Sequence, residues 1–76
     1  LKSLSKIPKE IQEQAYQKEN IFKENPFAPQ LRIHKLHGKD KKAWAFWIDF
    51  SYRIKFLFLS DKEVLFLEIG RHDIYQ

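Results

Sequence analysis

Seventy-six residues are enough for one domain with a modest core and too few for two. A hydrophobic share of 43% and an aromatic share of 16% exclude a disordered composition, and the absence of cysteine excludes disulfide staples and thiolate metal sites while fitting a reducing cytoplasm. Fourteen Lys and Arg against ten Asp and Glu leave a formal charge of +4, which draws phosphate-rich or acidic partners without naming one, and no apolar run approaches the ~20 residues of a membrane span.

Leu1 to Asn25 is rich in Lys, Glu, Gln and Ala and predicts helix. Pro8 suits a first turn, with Glu10 close behind at the positive end of the dipole. Ile7, Ile11, Ala15 and Phe22 recur at spacings of four, four and seven, on one face. Asn25-Pro26 ends the pattern, because a residue before proline is pushed out of the helical region. A helix is expected from about Pro8 to Glu24, with Leu1 to Leu4 as the tail of an earlier element. Residues 26–43 read as a connecting segment.

From Trp44 the period changes to that of strands. Trp44 to Phe50, Arg53 to Leu59 and Val64 to Ile69 are aromatic and branched runs of strand length. Ser51-Tyr52 marks one reversal, and Ser60 to Glu63 supplies a tight hairpin. Strands joined so closely must be antiparallel, since a parallel return needs a long crossover. Gly70 is expected to stop the last strand, leaving 71–76 as a tail. The expected fold is α+β: one domain over 1–76, an N-terminal helix or helical hairpin packed on a twisted antiparallel sheet.

Alternation assigns two faces to that sheet. Ile54, Phe56 and Phe58 share one face with Trp44, Phe46 and Ile48, while Arg53, Lys55, Leu57 and Leu59 share the other with Ala45, Trp47 and Asp49. The second face mixes apolar and basic groups instead of being simply solvated, so either a partner or the remaining elements of the chain should cover it.

His34, His37 and His72 are the three histidines. His34-x-x-His37 lacks further ligands at a recognised spacing, so no metal is expected, and the two glycines leave no phosphate loop or dinucleotide fingerprint. No cofactor is expected either. His72 follows a glycine at a strand end, between Arg71 and Asp73, with Tyr75 beyond. Imidazole exchanges protons near neutrality, and Arg53 on the neighbouring strand carries a planar fork suited to phosphate. Those are parts for metal-free RNA cleavage. The same residues also suit a solvent-facing Gly-Arg-His-Asp turn, and residue chemistry leaves both readings open.

Taken in order, Asn25-Pro26, Leu31-Arg32-Ile33-His34-Lys35-Leu36-His37-Gly38, Trp44 to Asp49, Tyr52-Arg53-Ile54 and Val64 to Tyr75 resemble the motif series of RelE/ParE-superfamily toxins. The likeness covers Asn25 to Tyr75, two-thirds of the chain. It implies a toxin of a type II toxin–antitoxin pair, wrapped by its cognate antitoxin in a hetero-oligomer. It also implies metal-free mRNA cleavage, often in the ribosomal A site, leaving a 2′,3′-cyclic phosphate. By resemblance, His72 falls at the catalytic C-terminal position and Arg53 at a phosphate-binding arginine. His34 falls at a functional histidine of the YafQ-like branch, and Tyr75 near a tail tyrosine. Arg71, Lys35 and Tyr52 are expected beside substrate. A ParE-like or degenerate member that binds gyrase or only its antitoxin is the alternative.

The departures are specific. Trp44 and Phe46 stand where the RelE branch has two strand lysines, and Trp47 where the YafQ-like branch has a second histidine. That branch's following Asp-Trp pair falls at Ser51-Tyr52. The family opens with a strand and a first helix, and Leu1 falls inside that helix. A missing first strand would leave a raw sheet edge.

Overall fold

The computed structural model describes residues 6–37 and 42–71. The predicted helix is present as α1, Lys9–Glu24. Pro8 precedes it in an extended conformation, and its carbonyl accepts from the amides of Ile11 and Gln12 at 3.0 Å each. No side chain caps the first turn; instead Gln12 Nε2 donates back to the Ile7 carbonyl at 2.8 Å. At the other end Asn25 is extended, as its place before Pro26 requires, and its Oδ1 accepts from the Phe27 amide at 3.0 Å. Residues 1–5, where the tail of an earlier element was expected, lie outside the described residues.

Four antiparallel strands follow in the order β1-β2-β3-β4: His34–Lys35, Trp44–Trp47, Tyr52–Phe58 and Val64–Arg71. The α+β expectation therefore holds, as one helix on a four-stranded antiparallel sheet. Ile11, Ala15 and Phe22 of α1 are buried against Phe46, Ile48, Ile54, Phe56 and Ile69. Phe22 stacks on Phe46 and meets Phe56 edge-on, with ring centroids 5.0 Å apart in each case. Burying one such ring contributes about 2–3 kcal/mol, and Ala15 lets the helix approach the sheet closely enough to do so.

Three boundaries differ from the sequence expectation, each for a local reason. The connecting segment 26–43 is not featureless: Pro29–Leu31 forms a 3-10 turn and His34–Lys35 an edge strand. β2 ends at Trp47 and not Phe50, because Asp49 Oδ1 captures the amides of Ser51 (2.9 Å) and Tyr52 (2.8 Å) and turns the chain. β4 passes through Gly70 to Arg71. Gly70 pairs with Arg53, and a glycine there leaves that side of the ladder clear beside a long buried side chain.

A β-bulge adjusts the faces of β4. Lys55 pairs with Glu68 and Phe56 with Phe66, so Leu67 is an extra residue on β4. Strict alternation from Phe66 would send Glu68 towards α1 and Ile69 away from it. The inserted residue reverses that, so Ile69 is buried in the core and Glu68 reaches Lys55.

Candidate functional site

The helix covers one face of the sheet; the other carries three transverse rows of side chains, read from the strand register. The first is apolar: Leu36, Ala43 and Ala45 form a small buried cluster with Leu57, and Leu65 lies opposite Leu57, half-exposed. The second runs His34, Ala45, Lys55, Glu68, the last two joined by a 3.1 Å ion pair. The third is Trp47, Arg53, Gly70, with Arg32 leaning over Trp47.

Arg53 anchors the third row. It is 6% exposed, and it is the buried charge among the described residues. Its Nη1 donates to the carbonyls of Asp49 (2.7 Å) and Phe50 (3.0 Å) in the β2–β3 connection and of Tyr52 (3.1 Å), the first residue of β3. Its guanidinium carbon lies 3.9 Å from the Trp47 ring centroid. Burial pushes the guanidinium pKa down from its ordinary value, the Asp49 carboxylate pulls it up, and the Arg32 charge pushes it down further. An arginine so placed stays protonated at any physiological pH. Sequence reading placed Arg53 as a phosphate ligand; the structure turns Nη1 towards backbone.

His34 is exposed on edge strand β1, and its Nδ1 is 3.1 Å from the Arg32 carbonyl. A carbonyl only accepts, so Nδ1 carries the proton and Nε2 is left as the proton-accepting nitrogen of the neutral ring. His34 and Arg53 share the open face. Lys35, Tyr52 and Arg71 do not: Lys35 pairs with Trp44 and Tyr52 packs against the helix-side core, with the Arg71 guanidinium 5.8 Å from its ring centroid. His72 and Tyr75 lie outside the described residues. Among the described residues, no three His, Asp or Glu side chains gather as a metal site, and no helix is long and apolar enough to cross a membrane.

Set against family models, curated proteins and solved structures, the chain matches none of them. What is known of the site therefore comes from its own geometry.

That geometry adds two residues to the candidate set. Arg32 follows the 3-10 turn in the left-handed conformation (φ 49°, ψ 46°), which is costly for a residue with a Cβ, and its amide donates to the Pro29 carbonyl at 3.2 Å. Its guanidinium carbon is 4.5 Å from the Trp47 centroid. Alternation in the sequence already set Trp47 on the basic face, so the indole was findable. Arg32 was not, because nothing local announces a left-handed arginine.

Proposed function

We propose that the chain is an RNA-cleaving toxin of the type II toxin–antitoxin kind, acting in the cytoplasm on mRNA and held in check by an antitoxin. The observation that carries the reading is the open sheet face: His34, its Nδ1 against the Arg32 carbonyl, stands on the same face as two guanidinium groups gathered at Trp47. The ordered resemblance to RelE/ParE toxins and the net positive charge support it.

In this reading one imidazole takes the proton of a ribose 2′-OH, and the oxygen attacks the adjacent phosphorus. The bond from phosphorus to the 5′-oxygen breaks, and a second proton donor supplies that leaving oxygen. The products are a 2′,3′-cyclic phosphate and a free 5′-hydroxyl. His72 and His34 are the acid–base pair, the arginines balance the phosphorane charge, and Tyr75 orients substrate. The test is purified chain with RNA, alone and on ribosomes, against His72→Ala and His34→Ala. The reading expects cleavage with cyclic ends, lost in His72→Ala. Unchanged cleavage and growth arrest in that variant remove His72 from the mechanism, and intact RNA with wild-type protein removes the reaction.

One observation favours a second reading, a domain that arrests growth by binding protein without cutting RNA. Arg53 Nη1 is committed to backbone carbonyls, and the row from Leu36 to Leu65 is apolar. Growth arrest with intact transcripts separates this reading from the first.

A further inference from the structure

Two guanidinium groups share one indole. Their carbons lie 3.9 Å and 4.5 Å from the same Trp47 centroid, which holds the two positive charges within about 10 Å, one Debye length at 0.1 M salt. The two arginines are not equivalent. Arg53 is buried and its Nη1 serves three carbonyls at the turn from β2 into β3. Arg32 is exposed, and among the described residues no carboxylate, carbonyl or hydroxyl takes the donors of its side chain. Its backbone is held by its own amide to Pro29 and by the His34 ring on its carbonyl.

Like charges brought together raise each other's free energy, and the Arg32 charge does act on Arg53. A bound anion relieves that repulsion. Trp47 attracts both cations through its ring face and keeps the Arg32 fork extended over the sheet without using its hydrogen bonds. The carbonyl that meets the His34 ring is Arg32's own, so one short stretch of backbone sets both residues.

We infer that Arg32, steadied by Trp47, is the residue that grips a phosphodiester of RNA on the open face, while Arg53 is a positioning residue that fixes Trp47 and the turn from beneath. The inference rests on the RNA reading above and specifies which side chain touches the strand. A planar fork matches two phosphate oxygens at once, and because it matches a carboxylate equally well the test below sets RNA against an acidic peptide.

The experiment is equilibrium binding of a labelled single-stranded RNA hexanucleotide across a salt series, in a His72→Ala background that keeps the probe whole. Arg32→Gly removes the guanidinium while suiting the left-handed backbone, and Lys62→Ala removes one charge from the exposed β3–β4 hairpin. Arg32→Gly is expected to weaken binding about tenfold at 0.1 M salt and to lower the slope of log K against log salt by about 0.7, one strand phosphate. Lys62→Ala should change both far less, and Arg32→Lys should restore the slope but only part of the affinity. Equal losses in Arg32→Gly and Lys62→Ala overturn the inference, since net charge alone then explains binding. Tighter binding of a hexaglutamate peptide than of the RNA also overturns it, in favour of an acidic protein. Cleavage is scored separately on the unmutated His72 chain: cleavage with no special role for Arg32 sinks this inference alone, and binding through Arg32 without cleavage sinks the ribonuclease reading alone.

Discussion

On the face under α1, phenylalanines from the helix and three strands (Phe22, Phe46, Phe56 and Phe66) meet ring to ring; on the opposite face, charged, aromatic and small aliphatic residues run in transverse rows. Both faces belong to the same strands. The first is held by area removed from water, which tolerates many apolar residues of similar size. The second is held by partners chosen atom by atom, with Arg53 Nη1 shared among three carbonyls and Lys55 paired to Glu68. Both faces hold the fold together, one by buried area and the other by directed contacts.

Four substitutions break or sharpen that contrast. Phe46→Ala opens a cavity where three other rings converge and should cost about 3–5 kcal/mol by urea denaturation, a large share of what a chain this short holds. Arg53→Met keeps roughly the length of the side chain but removes the guanidinium donor from the Asp49, Phe50 and Tyr52 carbonyls, of which Tyr52 keeps the Ile48 amide; a loss of about 2–4 kcal/mol is expected in the same assay. A loss below about 0.5 kcal/mol would mean the turn holds itself. Lys55→Met removes an ion pair that is open to water on the Glu68 side, for at most about 1 kcal/mol, and the difference from wild type should shrink in 1 M salt. Lys23→Ala, which frees Glu19 four residues earlier on α1, should move stability by about 0.3–0.5 kcal/mol.

The helix and the three longer strands were legible because their signals are local. Pro8, the four-residue spacing and Asn25-Pro26 bound α1 to within a residue, and the two faces of β3 follow from alternation. What escaped depends on contacts between distant residues. Two exposed residues of β1 carry no period and are a strand only because Ala45 and Trp44 pair with them. The end of β2 hinged on one Asp49 oxygen, which an apolar run from Trp44 to Phe50 concealed. The bulge at Leu67 was invisible until Lys55 and Phe56 named their partners. The candidate site shows the same division. Arg53, picked out by residue type, and His34, picked out by the resemblance, do share a face, but Lys35, Tyr52 and Arg71 fall on the other because register, which sorts them, is a property of pairs. Arg32 was missed because its backbone conformation is set by the turn before it.

The two tryptophans sit one on each face, three residues apart in sequence. Trp44 packs among Phe27 and Phe58, with ring centroids 6.4 Å and 5.5 Å away, whereas Trp47 lies against guanidinium groups. The chain thus carries two fluorophores in opposite electrical surroundings. Replacing Trp44 by Phe leaves a single emitter whose excited-state dipole feels the arginine charges directly. Its colour then reports the arrival of an anion at those fixed positive charges, with no dye attached, while the converse exchange leaves an emitter set among the rings on the helix side of the sheet.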